Sequence, residues 1–350
     1  MKLLNICRNY NNISIIGMGK NVGKTTSLNH IISEARGQML GEGFLGLTSI
    51  GWDGEKEDQV TLNPKPRIYV EKGTIIATAK QLIKSCDITK EIVLSTGMHT
   101  PLGEVIIVRA LSDGYVELGG PSINSQVAEL CHLLKDVGCK LTIVDGALDR
   151  RTSASPVITE GTILSTGASL SRSMHKTVEL TAHTAELLST QKEEDVQILN
   201  LAKDIYTHSC MGIIDKYNNV ELLKVKTSLG SVKELTESLN ENSRVIVIKG
   251  TVHDSLLEGI MESHVRIKDL KIIAEDGTKL FITPDMLYRF TKKGGCLRAM
   301  APINLICITC NPYSPHGYEY NRDEFIEKLQ EKIPLPIIDV MGGGHHRFFK

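Results

Sequence analysis

Short apolar runs and longer amphipathic stretches take turns along the first half of the chain. Ile13-Ser14-Ile15-Ile16 is an apolar run that stops at Gly17, as a buried strand does. Leu28, Ile31 and Ile32 then recur at helical spacing within Lys24–Ala35. Phe44–Ile50 reads as a second strand and ends in the polar loop Gly51-Trp52-Asp53-Gly54-Glu55. A charged, proline-containing loop continues to Pro66. Ile68–Val70, Ile92–Leu94 and Val105–Val108 are further short β-like runs. Ile123, Val127, Leu130, Leu134 and Val137 mark one face of an amphipathic helix. Leu141–Val144 is a buried strand ending at Asp145, and Thr162–Ser165 is another, ending at Gly167-Ala168-Ser169. A helix is predicted from about Arg172 to Leu188, with Met174, Val178, Ala182 and Ala185 on its apolar side.

Strands alternating with helices predict an α/β fold: a mainly parallel sheet covered by helices on both faces. The polar stretch Gln191-Lys192-Glu193-Glu194-Asp195 has the character of a linker. The pattern therefore predicts a core over residues 1–190 and a C-terminal α/β region over 191–350. That region contains runs at Val245–Ile248, Ser255–Met261, Leu270–Ala274, Leu280–Thr283, Ile303–Thr309, Arg322–Lys332 and Ile337–Val340. Whether it stands apart or partly completes the first sheet is open at this level.

The first strand and helix enclose Gly17-Met18-Gly19-Lys20-Asn21-Val22-Gly23-Lys24-Thr25-Thr26. Binding a nucleotide phosphate needs glycines, so that backbone N–H groups can close around the oxygens. It needs a lysine for the β and γ phosphates, an adjacent hydroxyl for magnesium, and the first turn of a helix. Gly23-Lys24-Thr25 supplies that centre, with strand and helix on the correct sides. The loop departs from the strict P-loop spacing in one place: Met18 stands five residues before Gly23, flanked by Gly17 and Gly19. The expected fold class is thus a mainly parallel sheet of P-loop NTPase type, with ATP and Mg2+ as cofactors. The Lys24 side chain is expected to point into the empty loop, and Lys20 is either a second phosphate cation or a solvated side chain.

Asp145, at the end of an apolar strand, has the position of a carboxylate that orients magnesium or its water. It stands against the alternative of a turn or cap residue. Asp53 follows the second strand and can reach the metal or an attacking water, or simply occupy a surface turn. Glu55 and Asp58 are weaker candidates, and Arg150 and Arg151 are candidates for steadying charge. Thr25, Asp53 and Asp145 form the metal set, and Lys24, Asp53 and Asp145 the catalytic set.

Composition narrows the classes. The formal net charge of −1 leaves no basic footprint for nucleic acid or an anionic membrane. No apolar run approaches the ~20 residues of a membrane span, and no export signal opens the sequence. The eight cysteines are scattered, which fits reduced thiols in a cytoplasm. Cys307 and Cys310 form a CxxC pair inside a strand, where residues three apart face opposite ways, so core packing is the expected role. His345-His346, beyond a run of glycines, lacks a third ligand, and His175 and His183 are two turns apart on one helix.

The first half resembles the P-loop class that contains dethiobiotin synthetase. That class pairs a GKT loop with an Asp after the second strand. It also places a small-residue turn where this chain has Ile163-Leu164-Ser165-Thr166-Gly167-Ala168-Ser169. Val144-Asp145-Gly146-Ala147-Leu148-Asp149-Arg150-Arg151 is similar to a motif of cyclic 2,3-diphosphoglycerate synthetase. This likeness covers roughly residues 10–190. Over its whole length the chain resembles the B subunits of lysine 5,6-aminomutase reactivase. The segments that carry this are Ile15–Thr26, Leu47–Glu55 and Thr100-Pro101-Leu102-Gly103-Glu104-Val105. The resemblance implies ATP-driven exchange of damaged cofactor on an adenosylcobalamin- and pyridoxal-phosphate-dependent lysine aminomutase in anaerobic lysine fermentation. It also implies a second reactivase subunit resembling mismatch-repair ATPases. Relatives in the P-loop class read the base with an Asn in a loop after a late strand, which makes Asn311 a candidate beside a plain Asn-Pro turn. Two other readings stay open: a stand-alone ATP-dependent synthetase acting on a small carboxylate, and a nucleotide-gated scaffold.

Overall fold

The structure, a computed structural model, describes residues 2–37, 41, 43–52, 67–146 and 158–341. The main strands and helices, in chain order, begin with β1 (Asn12–Gly17), α1 (Lys24–Gly37), β2 (Leu45–Ser49), β3 (Ile75–Ala79), β4 (Lys90–Thr100) and β5 (Gly103–Ala110). They continue with α2 (Asn124–Asp136), β6 (Leu141–Asp145), β7 (Gly161–Gly167), α3 (Met174–Leu188) and α4 (Val196–His208). Next come β8 (Met211–Asp215), β9 (Val220–Leu222), β10 (Ser243–Ile248), α5 (Asp254–Glu262), β11 (Lys271–Ala274), α6 (Pro284–Lys292) and β12 (Cys296–Ala299). The chain closes with β13 (Leu305–Asn311), α7 (Arg322–Lys332) and β14 (Ile337–Asp339).

Two compact units result, Met1–Ala185 with Asn304–Lys350, and Glu186–Ile303. The chain therefore leaves the first unit within five residues of the polar stretch at Gln191, but comes back to it at Asn304. Of the two arrangements open for residues 191–350, the region partly completes the first sheet: β13 and β14 join it, while Glu186–Ile303 stands as its own unit.

The first unit is a nine-stranded sheet in the order β14-β13-β7-β1-β6-β2-β3-β5-β4. Every pairing from β14 to β3 is parallel, and β5 runs antiparallel to both of its neighbours. Mixed α/β architecture with a large, mostly parallel sheet is thus the fold. Both faces are covered, and adjacent residues on one strand show it. Ile143 packs in a cluster with Leu28 and Ile31 of α1, whereas Val144 packs with Val127 and Cys131 of α2. A strand buried on both sides must be apolar at every position, which is why Leu141–Val144 reads as an unbroken run. Ile75 and Ile76 divide between the two faces in the same way.

The second unit has its own sheet, in the order β9-β8-β10-β11-β12, with β10, β11 and β12 parallel and β8 antiparallel to β10. Its core gathers Leu256, Leu257 and Ile260 of α5 and Met286 and Phe290 of α6 against Ile246, Ile248 and Ile272. Among the described residues no helix is long and apolar enough to cross a membrane. Cys307 and Cys310 are both buried strand residues, and burial raises the pKa of each thiol.

Candidate functional site

The carboxyl ends of β1, β6, β2, β7 and β13 are brought level by the pairing register. Ile15 and Ser49 both lie opposite Asp145, Gly17 lies opposite Ser165, and Asn311 opposite Gly167. Ligands of open α/β sheets bind at this edge. The glycine loop crosses it.

Gly17 ends β1, and Met18 N–H donates to the Ser165 carbonyl at 3.0 Å. A Cβ at Gly17 would lie 2.8 Å from Lys24 Cδ and 2.9 Å from Val22 Cγ2, so any larger residue here would displace the lysine stem or Val22. A Cβ at Gly19 would meet Leu170 at 2.8 Å. Asn21 has φ 58° and Gly23 φ 93°, both left-handed. Asn and Gly are the residues that accept this geometry, and alternation of this kind turns successive N–H groups into an anion-binding concavity. Met18 is not among the positive-φ residues, so a side chain is tolerated at the one place where the loop departs from the strict spacing.

Lys24 opens α1, but its side chain does not rest in an open loop. The ammonium donates to the carbonyl of Gly146 at 2.7 Å. It thereby ties the start of α1 to the residue after Asp145. Asp145 is half-buried at the end of β6. Its carbonyl accepts from Ile50 N–H at 3.1 Å, and Gly146 N–H donates to the Ile15 carbonyl at 3.0 Å. Lys24, Thr25 and Thr26 are half-buried and Lys20 is exposed. Lys20 contributes its carbonyl to the loop's structure, accepting from Ser169 Oγ at 2.9 Å.

Beneath the loop lies a hydroxyl cluster that the sequence did not announce. Ser27, Ser165 and Thr309 are all but fully buried. Ser27 Oγ donates to the Gly23 carbonyl at 2.9 Å and lies 2.8 Å from Thr309 Oγ1, which is in turn 2.8 Å from Ser165 Oγ. The signal was three hydroxyl residues at positions where a helix and two strands are otherwise apolar. Asn311 is the last residue of β13 rather than a loop residue. Its side chain lies against Gly23, where an added Cβ would be 3.1 Å from Asn311 Cβ, and its amide reaches the Asn21 carbonyl at 3.5 Å. Its Oδ1 accepts from Tyr313 N–H at 3.1 Å, an Asx turn.

A second anchored segment adjoins Asp145. Gly51 N–H donates to the Pro121 carbonyl at 3.0 Å, and Gly120 N–H donates to Ser49 Oγ at 3.2 Å. A Cβ on Gly120 would fall 2.0 Å from the Ser49 carbonyl oxygen, so the two backbones touch. Gly119-Gly120-Pro121 thus fixes the exit of β2, a role missed in the sequence. Asp53, Glu55, Asp58, Arg150, Arg151 and His345-His346 lie outside the described residues. The structure brings together Gly17–Thr26, Asp145 and Asn311.

Among known proteins the chain is similar to a UDP-N-acetylglucosamine 1-carboxyvinyltransferase of Hydrogenovibrio crunogenus. The two are 28% identical over 160 residues, covering 46% of this chain and 34% of that protein. The chain spans about a third of the length of that curated relative. No family model and no solved structure matches the chain.

Proposed function

We propose that the first unit is a P-loop nucleotide-binding fold that holds ATP with magnesium at the loop Gly17–Thr26. The observation that carries this reading is the convergence at one sheet edge. A loop turned by Asn21 and Gly23 leads into α1, and the Lys24 ammonium reaches the strand end that carries Asp145. The donor set fits the ligand: backbone N–H groups and an ammonium suit phosphates, and a hydroxyl and a carboxylate suit a hard divalent cation. Thr25, Asp145 and Asp53 are the residues that would hold magnesium. When bound, the metal neutralises charge on the phosphates. Lys24 binds phosphate, the loop excludes water from it, and the hydroxyl cluster keeps the Gly23 carbonyl in place.

The wider role in this reading is that of an ATPase subunit that reactivates a lysine 5,6-aminomutase with a second subunit. Support comes from the three segments that carry the reactivase resemblance. Loops ordered by a γ-phosphate are a general means of converting nucleotide state into movement of a partner. Calorimetric titration with ATP and magnesium tests the first step, and recovery of activity by inactivated lysine aminomutase in the presence of the partner subunit tests the second. No binding of ATP refutes the P-loop reading; ATP binding without any reactivation refutes the client. Binding of UDP-N-acetylglucosamine in place of ATP would move the reading toward the chemistry named for the relative.

A synthetase acting on a small carboxylate is the second reading. Its support is the resemblance of residues 10–190 to the class that contains dethiobiotin synthetase. Phosphate release that depends on a small carboxylic acid and needs no protein partner selects it.

A further inference from the structure

The second unit has a cleft at the carboxyl end of β10, remote in sequence from the glycine loop, with a volume of about 690 Å3. It is shallow and open to solvent, as suits a small polar ligand that stays partly hydrated. Its position follows from the topology. After β10 the chain departs through α5 to β11 on one side, while the neighbour on the other side is β8, which starts at this same end. Lys249 N–H, just past β10, donates to the carbonyl of Cys210, just before β8, at 2.8 Å.

The lining is built, not incidental. Gly250 has φ 114°, and a Cβ there would sit 3.1 Å from Ser228 Oγ, so the turn after β10 needs glycine on both counts. Glu275, after β11, holds that turn by accepting from Gly250 N–H at 3.1 Å. Ser228 is only 3% exposed, and its hydroxyl lies 3.4 Å from that of Thr251. Lys249 donates to the Tyr206 carbonyl at 2.9 Å, which fixes its ammonium at the rim. Lys226 also lines the cleft and is exposed. The ammonium groups of Lys226 and Lys249 line it beside one carboxylate, Glu275, which Lys279 also approaches at 3.9 Å, and Ser228 and Thr251 add hydroxyls.

We propose that this cleft binds a small hydroxylated anion, a metabolite bearing a phosphate or carboxylate next to hydroxyl groups. The ammonium groups of Lys226 and Lys249 take the anion, and the serine and threonine hydroxyls exchange hydrogen bonds with the ligand's own. The site is separate from the glycine loop and does not rest on the nucleotide reading.

Cys210 gives a local readout, because it lines the cleft and is half-exposed, whereas Cys296 of the same unit is half-exposed and does not line it. The rate of iodoacetamide labelling at each cysteine is measured by peptide mass spectrometry on the full-length chain. The probes are ribose 5-phosphate, inorganic phosphate and gluconate, at constant ionic strength. A probe at ten times its Kd leaves about a tenth of sites open, so Cys210 labelling slows by up to about tenfold while Cys296 labelling does not change. Lys226→Met should abolish the protection, and Lys24→Met should preserve it. Protection by ribose 5-phosphate or inorganic phosphate assigns a phosphate ligand, and protection by gluconate alone assigns a carboxylate. No protection by any probe at millimolar concentration, or protection that survives in Lys226→Met, overturns the proposal.

Discussion

Lys24 has two jobs that can be separated by substitution. Its stem crosses Gly17, with Cδ at 2.8 Å from where a Cβ would stand, and its ammonium bonds the Gly146 carbonyl at 2.7 Å. Lys24→Met keeps an unbranched stem and deletes the charge, whereas Lys24→Ala deletes both. A hydrogen bond to a charged group is worth roughly 1.5–3 kcal/mol, and half-exposure lowers this toward ~1 kcal/mol. For a unit of this size ~1 kcal/mol moves Tm by about 2–4 °C. The ligand-free Lys24→Met protein should therefore melt about 2–4 °C lower than the parent, and Lys24→Ala lower still, because the lost stem leaves a gap beside Gly17. Both should lose at least about tenfold in ATP affinity, ~1.4 kcal/mol. Scanning fluorimetry without nucleotide and calorimetry with Mg-ATP read the two effects independently. If both variants bind ATP as tightly as the parent, the loop is not a phosphate site. If both bind poorly yet melt with the parent, the Gly146 bond contributes nothing and only the phosphate role survives.

Thr25→Ala should weaken the magnesium-dependent part of ATP binding, while Asp145→Asn should spare binding more than hydrolysis; titrations with and without magnesium, beside phosphate release, check the pair. Thr309→Val, similar in shape, strips one hydroxyl from the buried cluster with Ser27 and Ser165 and should cost about 1–2 kcal/mol, seen as a lower midpoint in urea. Glu104, on the β4–β5 hairpin, is held down to about 2 from 4.5 by bonds from Lys80, Ser95 and the Gly97 N–H. A depressed carboxylate contributes above its unfolded value and loses that contribution as pH falls through its folded one. Amide exchange at Gly97 should accordingly quicken between pH 4.5 and about 2 in the parent and be nearly flat with pH over that window, once intrinsic exchange is subtracted, in Glu104→Gln.

The parallel core was legible because burial on both faces forces continuous apolar runs, and the shortness of Leu141–Val144 with its bounding Lys140 and Asp145-Gly146 favours a strand over a buried helix. The hairpin of β4 and β5 was only half visible. Its outer strand is solvated on one side, so Ile92–Leu94 showed as a fragment of an eleven-residue strand. Ile75–Ala79 and Met211–Asp215, both buried strands, were missed, because each sits between glycine or polar residues that resemble loops in isolation. The return of β13 and β14 to the first sheet is a nonlocal fact. Nothing in the composition of Leu305–Asn311 says that its partner in pairing is Thr162–Gly167 rather than a strand of the unit just before it.

The same division holds at the site. The strand, loop and helix around Gly23-Lys24-Thr25 were readable because they are set by short-range spacing, which a sequence displays. What holds the loop is long-range. Thr309 lies 282 residues from Ser27, and Asn311 lies 290 residues from the Asn21 carbonyl that it reaches. Both come from β13, the strand that enters the sheet only after the second unit has been traversed. The first unit therefore cannot complete the support of its glycine loop until residues 304–311 have returned. A chain cut near residue 190 should keep the motif but lack the hydroxyl of Thr309 under Gly23 and the side chain of Asn311 against it. The local sequence turns the loop, and the late strand supplies the side chains that pack beneath and against it.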